Sequence, residues 1–320
     1  MNGTKALAHH MQWCAAAFSD PRVTEVVVNR PGEFAIEAAD NWTWHRDETL
    51  TFDRLDGIGK LAAGLTRQTL DVHTPRCGSI LPAEAFGIDQ GIGGLRIQIA
   101  RPPAVLEGTY SLTIRKRATD FVPTLEWLAE RGYFAHLPQD RDWVAWWRQS
   151  VLDRKTILLS AETGAGKTTF AEALAREIPH DSRIITIEKT PEWNLPHRNL
   201  VTSLYGSSGD GKDADRAATQ CVEDALRQRP DRILVGELRS PGEAWAYIRA
   251  MLAGHPGGIT TIHAESPSLA IEALATMLRQ DVAGMTMQDA DLRALLKRTI
   301  HIVAQCAKRP YRLVTVEELT

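Results

Sequence analysis

The sequence predicts an α/β domain with a largely parallel sheet, preceded by a smaller α+β domain. From residue 156 onward, apolar strand candidates alternate with helical stretches, which is typical of a parallel sheet covered by helices. In the first 120 residues, β-branched strands that alternate apolar and polar positions are combined with one helical pattern. The chain has 320 residues, 43% of them hydrophobic, which is enough for two cores.

Composition excludes several classes of protein. The net charge is -3, so no overall basic excess indicates nucleic acid or an anionic membrane. We find no apolar run of about 18 residues of the kind that predicts a transmembrane helix, and the N-terminus is a poor secretory signal. The cysteines are far apart and form no CxxC pair, which argues against a disulfide framework or a cysteine zinc site: Cys14, Cys77, Cys221 and Cys306. A cytoplasmic location is expected.

The N-terminal half begins with a predicted hairpin. Val23–Asn29 is rich in β-branched residues and ends at a Pro-Gly turn signal, and Phe34–Ala38 is its expected partner. Leu55–Leu70 has the apolar spacing of a helix. Further on, Arg96 and Arg115 alternate with apolar neighbours, which places both arginines on the polar faces of two strands.

The C-terminal half begins after a connector that carries a short predicted helix, Leu125–Arg131. Gln139–Leu152 is the next predicted helix, and we interpret Trp143 and Trp147, four residues apart on it, as packing residues. The strands predicted after it are Ile157–Ala161, Arg183–Glu188, Ile233–Glu237, Gly258–His263 and His301–Cys306.

The segment Ala161–Thr169 (AETGAGKTT) is predicted to bind the phosphates of ATP. It joins a predicted strand to a helix start, as a Walker A loop requires. Glycines allow successive N–H groups to face phosphate oxygens, Lys167 would reach the β- and γ-phosphates, and the Thr168 hydroxyl would bind Mg²⁺. The predicted nucleotide-binding residues are Thr163, Gly164, Ala165, Gly166, Lys167, Thr168 and Thr169.

One position departs from the Walker A pattern. Ala161 stands where GxxxxGK[ST] has its first glycine. Alanine is the smallest alternative, so we expect the loop to survive, although a positive φ there would be disfavoured.

Carboxylates end two other predicted strands. Glu237 follows the apolar strand RILVGE, and Glu188 ends RIITIE with Glu192 four residues later. Open α/β sheets bind ligands at this edge, so these groups are candidates to organise Mg²⁺ and the attacking water. His263 ends a further strand and could sense the γ-phosphate. His255 and His263 could in principle bind zinc, but the sequence shows no third ligand at a spacing typical of zinc sites.

Four motifs in the C-terminal half resemble those of the hexameric traffic ATPases of bacterial type IV secretion and conjugation, within the secretion and pilus-motor ATPase superfamily. The Walker A loop is TGAGKTT. IEKTPEW is similar to the family's Asp box, RQRPDRILVGELR to its Walker B strand, and GHPGGITTIHAESP to its His box. VTEVVVNRPGE, RIQIARPP and LTIRKR resemble strands of the family's N-terminal domain more loosely.

The resemblance implies a fold and a site. It implies an α+β N-terminal domain at 1–118, a flexible linker at 119–138 and a RecA-like P-loop ATPase domain at 139–320, assembled as a homohexamer with ATP between the two domains. Arg96 and Arg115 become candidates to reach the γ-phosphate. Within the site we expect Glu188 to be the base, with Glu192 beside it, and Glu237 to act with Thr168 on Mg²⁺.

The Asp box has a substitution. Lys189 stands where the family has an aspartate after Glu188. A lysine could pair with a phosphate or a neighbouring carboxylate, or it could weaken the organisation of Mg²⁺. Because Glu188 and Glu192 are retained, turnover is still expected.

The predicted function is an ATP-hydrolysing motor that powers substrate export or pilus assembly in a type IV secretion system. It is expected in the cytoplasm, peripherally at the inner membrane, with secretion-channel components and other secretion ATPases as partners. The alternatives are a type II secretion or type IV pilus motor, and a scaffold that binds ATP but barely hydrolyses it. A RecA-like nucleic-acid translocase ranks lower, because we see no basic and aromatic platform; direct nucleic-acid binding stays open.

Overall fold

The computed structural model describes the chain except for residues 1–2, 21, 39–40, 89–93, 117–121, 163, 190, 206–210, 282–285, 309 and 320, and for the side chains of 211–215. The chain divides into two compact units, Met1–Phe121 and Val122–Thr320. Buried apolar side chains form one core cluster in the first unit and two in the second.

The first unit is built on a six-stranded antiparallel sheet in the order β3-β2-β1-β6-β5-β4. Its strands are β1 (Val23–Val28), β2 (Glu33–Ala38), β3 (Asn41–Arg46), β4 (Arg76–Leu81), β5 (Leu95–Ala100) and β6 (Ser111–Arg115). Its helices are α1 (Gly3–His10), α2 (Gln12–Ala15) and α3 (Phe52–Leu65).

The two faces of this sheet differ as the alternating sequence predicts. Ile97 and Ile99 of β5 are fully buried in a core that also contains Leu7 of α1 and Leu55 of α3. Arg96 and its alternate neighbours lie on the other face. The alternation in the sequence therefore decides which side of the sheet is covered.

Several elements of the first unit differ from the prediction. Helix α3 begins at Phe52, because the side chain of Thr51 caps it by accepting from the N–H of Arg54, and it ends at Leu65 instead of Leu70. The sequence analysis did not identify α1, α2, β3 or β4. Strand β3 is exposed at every position, so no buried alternation marks it.

The second unit is an α/β structure with parallel strands. Its strands are β7 (Ile157–Ser160), β8 (Ile184–Glu188), β9 (Leu200–Leu204), β10 (Arg232–Val235), β11 (Ile259–Ile262), β12 (Ile302–Ala307) and β13 (Arg312–Glu318). They form a β10-β8-β9 sheet and a β11-β7-β12-β13 sheet, in which only β13 is antiparallel to its neighbour. All five strands predicted here are present, whereas β9 and β13 were not predicted.

Helices α4–α10 complete the second unit. They are α4 (Leu125–Glu130), α5 (Trp143–Leu152), α6 (Lys167–Arg176), α7 (Gly211–Leu226), α8 (Pro241–Leu252), α9 (Pro267–Gln280) and α10 (Asp289–Thr299). Among the helices that the structure describes, none is long and apolar enough to cross a bilayer.

Residues 122–138, expected in a linker, pack into the second unit. The side chains of Leu125, Tyr133 and Phe134 are buried in the same core cluster as Phe170 of α6. Their burial is the physical reason why this segment folds with the second unit instead of connecting the units freely. The first unit ends at residue 121, the last of the residues 117–121 that the structure does not describe.

The interpretation of the two tryptophans is confirmed. Trp143 is 7% exposed and Trp147 is fully buried, with its ring centroid 5.2 Å from that of Phe170 in an edge-to-face arrangement. The four cysteines are free thiols.

Candidate functional site

The phosphate loop lies between the buried strand β7 and helix α6. Gly164 and Gly166 both have φ of 76°, in the left-handed region that glycine adopts without strain. Gly166 is the N-cap of α6, so the helix begins at Lys167 with its first N–H groups and positive dipole end at the loop. Ala165 is buried, Thr169 is half-buried, and Thr163 lies outside the described residues.

Ala161 fits this loop without strain. Among the described non-glycine residues, a positive φ occurs only at Arg67, Arg154 and Arg229. Ala161 therefore does not need the conformation that glycine would supply. It is fully buried, and its carbonyl oxygen accepts a hydrogen bond from the side chain of Lys167.

Lys167 is folded back onto its own loop. The Nζ atom donates to the carbonyl oxygen of Ala161 at 2.8 Å and to that of Glu162 at 3.4 Å. It also lies 2.9 Å from Nδ1 of His263. Burial lowers the pKa of Lys167, while the nearby Glu237 carboxylate acts in the opposite direction. Lys167 is thus a desolvated cation held by weak neutral acceptors, which phosphate oxygens would replace favourably.

The carboxylate of Glu237, just after β10, contacts the side chains of His263 and Arg239. Its Oε1 atom lies 2.7 Å from Nε2 of His263. Its Oε2 atom accepts from Nε and Nη2 of Arg239 at 2.9 and 2.5 Å. Lys167, His263, Glu237 and Arg239 therefore form a continuous row of charged and polar side chains, which we call the Lys–Glu row.

Glu188 is buried at the end of β8. Its Oε1 atom accepts from the hydroxyl of Thr186 at 2.8 Å, and its Oε2 atom accepts from the backbone N–H groups of Glu192 and of Trp193, the latter at 3.1 Å. Desolvation raises the pKa of Glu188 despite these hydrogen bonds. Through its hydrogen bonds to backbone N–H groups, the carboxyl group of Glu188 holds the backbone at Glu192 in place.

Glu192 faces the beginning of α6. The hydroxyl of Thr168 donates to Oε2 of Glu192 at 3.2 Å. This contact joins a hydroxyl and a carboxylate, both of which are oxygen ligands that Mg²⁺ accepts. No cluster of three or more His, Cys, Asp or Glu side chains suited to a metal occurs among the described residues. A metal here would need ligands from the phosphates and water, as Mg²⁺ usually has in nucleotide sites.

Two further residues of these motifs are Lys189 and His255. The side chain of Lys189 is exposed. His255 contacts the carbonyl oxygen of Pro230 through Nδ1 at 3.1 Å. Because Pro230 and His255 precede β10 and β11, which run parallel to the other central strands, His255 lies at the opposite end of β11 from His263. The two histidines of one motif therefore have different environments.

Arg96 and Arg115 belong to the first unit. They are direct partners in the antiparallel pairing of β5 with β6, and Glu25 of β1 lies opposite Arg115 on its other side. Like charges placed directly opposite each other are unfavourable unless an anion or a carboxylate is nearby. The prediction that both lie on a polar face agrees with this register.

Arg239 is a site residue that the sequence analysis did not single out. It follows Glu237 by two residues in GELR, and it covers one oxygen of that carboxylate. Its backbone N–H donates to Glu243, the residue that also completes the capping box at the start of α8. The turn after β10 brings Arg239 to Glu237 and Glu243. In the sequence, the spacing of two residues between Glu237 and Arg239 was the only indication of this contact.

Comparison with known proteins identifies the family. The model of the family described as "Type II/IV secretion system protein" matches residues 139–315, which contain the phosphate loop, Glu188, Glu237 and His263. The chain belongs to this family. The resemblance stated from the four motifs, and with it the prediction of a type IV secretion ATPase, is confirmed.

Relatives cover most of the chain. It is similar to the type IV secretion system protein VirB11 of Bartonella henselae, with 35% identity across 90% of this chain and 85% of that protein. The corresponding protein of Brucella suis biovar 1 is 36% identical across 92% and 83%. These relatives are type IV secretion proteins, which favours that branch over the type II and pilus alternatives.

Solved structures agree on the fold. The crystal structure of the Brucella suis VirB11 ATPase, in complex with sulphate, has 34% identity and a TM-score of 0.51, covering 98% of this chain and 95% of that one. The pilus retraction motor PilT with bound ADP has a TM-score of 0.64 at 17% identity, covering 96% and 80%. The second of these shows likeness of fold alone. The predicted combination of an N-terminal domain and a RecA-like ATPase domain is confirmed.

Proposed function

We propose that this secretion ATPase hydrolyses ATP at the loop 161–169 and uses the Lys–Glu row to respond to the γ-phosphate, and that it thereby powers substrate export or pilus assembly. The observation that carries the proposal is the continuous contact from Lys167 through His263 to Glu237. A charged row of this kind, beside an N-terminal helix end, suits the negatively charged γ-phosphate.

Binding of nucleotide would rearrange Lys167. Its Nζ is held by carbonyl oxygens of the loop, and these are weaker partners than phosphate oxygens. When Lys167 turns to the β- and γ-phosphates, it leaves Nδ1 of His263 free to accept from or donate to another group. The presence of the γ-phosphate is thereby communicated to Glu237.

Thr168 and Glu192 fit a magnesium ion, with Glu237 as a predicted participant. The hydroxyl of Thr168 and the carboxylate of Glu192 already lie within hydrogen-bond distance. Bound Mg²⁺ would neutralise phosphate charge during phosphoryl transfer. Thr168 would ligate the ion through its hydroxyl, and Glu192 would hold that hydroxyl or a water in position.

The attacking water needs a carboxylate that can reach it. Glu188, predicted to be the base, could act only after releasing its hydrogen bonds to Thr186 and to the backbone of Glu192 and Trp193. The partners of Glu237 are the side chains of His263 and Arg239, and the Glu237 side chain is 16% exposed. We therefore infer that Glu237 orients the water with His263, and that Glu188 positions Glu192.

Arg96 and Arg115 would bind phosphate from the first unit. The two residues are direct partners across β5 and β6, so both guanidinium groups could contact the same phosphate. Guanidinium groups recognise phosphate oxygens through paired N–H donors. The proposal is that they contact the γ-phosphate, so that they distinguish ATP from ADP.

Membership of the family supports a proposal about assembly and location. We propose a homohexamer that acts as a moving platform and docks on inner-membrane components of a secretion channel and on other secretion ATPases. The chain would be cytoplasmic and peripheral to the membrane.

Replacing Lys167 by alanine tests the proposal. We expect Lys167→Ala to abolish phosphate release while circular dichroism and assembly, measured by light scattering, stay unchanged. Lys60→Ala is the matched control, because the Lys60 side chain is 57% exposed and pairs with Asp56 in the first unit. Hydrolysis unchanged in Lys167→Ala would reject the motor. Tight ATP binding by the unmodified chain with phosphate release at background rate would favour the scaffold alternative.

A further inference from the structure

An exposed tyrosine lies against the phosphate loop. The position that a Cβ atom on Gly166 would occupy is 3.5 Å from Cδ1 and 4.0 Å from Cε1 of Tyr311. Tyr311 is nonetheless 56% exposed, so its ring lies close to Gly166 on one side and is open on another. A large aromatic ring left in this position is not explained by packing.

The sheet places this ring at the nucleotide edge. Strand β12 pairs with β7 in parallel, with Gln305 opposite Ser160, the last residue of β7. The turn after β12 therefore projects from the same edge as the phosphate loop after β7. Tyr311 lies in that turn, immediately before β13.

The residues that follow Tyr311 are anchored. Strand β13 pairs with β12, with Arg312 opposite Ala307. The side chain of Leu313 is fully buried, and its backbone N–H donates to the carbonyl oxygen of Tyr133 at 2.8 Å. Tyr311 is thus an exposed ring directly beside anchored residues, so its ordering on ligand binding costs little.

We propose that Tyr311 forms a nucleobase subsite, in which its ring stacks on the base of the nucleotide whose phosphates lie in the loop 161–169. This rests on the proposed function, since it places the base of the same ligand. Gly166 is the last loop residue before α6, so the remainder of a nucleotide bound at the loop can extend past it toward the ring. Stacking on an aromatic face is tolerant of base identity, so the subsite takes a nucleobase as a class.

Equilibrium binding of ADP and of inorganic pyrophosphate tests the subsite, because both ligands carry two phosphates and only ADP carries a base. Stacking of a base on an aromatic side chain predicts that Tyr311→Ala weakens ADP binding about 5- to 100-fold. Pyrophosphate binding by the same variant should stay within about twofold. Tyr311→Phe keeps the ring and should restore ADP binding. Isothermal titration calorimetry measures all of these.

The controls separate this proposal from the proposed function. Val314→Ala changes another exposed side chain of the same hairpin, 40% exposed, and should leave both affinities as they are. If Tyr311→Ala weakens ADP and pyrophosphate equally, the ring only supports the loop, and the subsite is rejected. If it weakens neither, the subsite is rejected as well. In both cases loss of binding in Lys167→Ala would still support the nucleotide site itself.

Discussion

Nζ of Lys167 and Nδ1 of His263 lie 2.9 Å apart, although the two residues are 96 positions apart in the chain. The imidazole is also 2.7 Å from Glu237 through its other nitrogen. His263 is therefore the connection between the phosphate loop and the end of β10.

Removing the imidazole should slow hydrolysis more than it weakens binding. We expect His263→Ala to lower kcat about 100-fold, because a preorganised group facing the developing charge is lost, and to leave ADP affinity within about threefold. Steady-state kinetics and calorimetry measure the two effects. His255→Ala is the control from the same motif, since His255 contacts Pro230 at the other end of β11. Equal kcat losses in both variants would contradict the assignment.

The contact between Thr168 and Glu192 predicts a dependence on magnesium. Thr168→Ala and Glu192→Gln should each raise the Mg²⁺ concentration needed for half-maximal hydrolysis about tenfold, because an oxygen ligand or its positioning partner is lost. Titration of activity with Mg²⁺ measures this. Glu265→Gln, at an exposed position, should leave the midpoint where it is. An unchanged midpoint in both site variants would argue against magnesium at this place.

The paired arginines of β5 and β6 predict discrimination by the third phosphate. Arg96→Ala and Arg115→Ala should each lower ATP affinity about tenfold, the effect of one charge-assisted hydrogen bond, with ADP affinity changed by about twofold at most. A non-hydrolysable ATP analogue and ADP are compared by calorimetry. Arg22→Ala is the control, because Arg22 is an exposed arginine paired with Asp20. Equal losses for both ligands would exclude a contact with the γ-phosphate.

Burial of Glu188 predicts a pH dependence of stability. Because its pKa is raised in the folded state, the protonated form is favoured there, and stability falls as pH rises through the folded pKa. Glutamine can accept from the same backbone groups and donate to Thr186, but it cannot ionise. We therefore compare the free energy of unfolding of Glu188→Gln with that of the unmodified chain. The difference should grow in favour of the variant as pH rises from about 4, the ordinary pKa of glutamate, toward neutrality.

Urea unfolding at several pH values measures that difference. The control is Glu265→Gln, which makes the same substitution at an exposed position. If the difference in free energy of unfolding between Glu188→Gln and the unmodified chain does not change with pH, ionisation of the buried carboxyl carries no cost and the prediction is wrong.

A buried and an exposed tryptophan, Trp147 and Trp42, should differ in how much their removal lowers stability. Trp147 is fully buried against Phe170, so Trp147→Ala should lower the free energy of unfolding of the second unit by about 3–5 kcal/mol. Trp42→Ala removes a side chain that is 48% exposed on β3 and should change stability by only about 0.5 kcal/mol. Chemical denaturation followed by circular dichroism compares them. Similar losses in both would contradict the burial that the structure shows.

Local patterns in the sequence determined the strands of the second unit and the chemistry of its loop. Apolar runs that alternate with helical stretches predicted β7, β8, β10, β11 and β12, because strands buried on both faces leave that signature. The glycines and Lys167 predicted the phosphate loop, since few other structures need that spacing. The exposed edge strand β3 and the helices before β1 were not predicted, because exposed strands and short helices carry no strong periodicity.

Tertiary structure alone decided which partner each site residue has. The sequence placed Glu188 and Glu237 at strand ends and Glu192 four residues after Glu188. Only packing shows that Glu188 accepts from backbone N–H groups, that Glu192 faces Thr168, and that Glu237 faces His263. Likewise, Arg239 and Tyr311 join the site through turns whose conformations depend on neighbouring strands. Spacing along a chain fixes which edge of a sheet a residue reaches, whereas contacts across that edge depend on side chains from distant segments, and these are set by the fold.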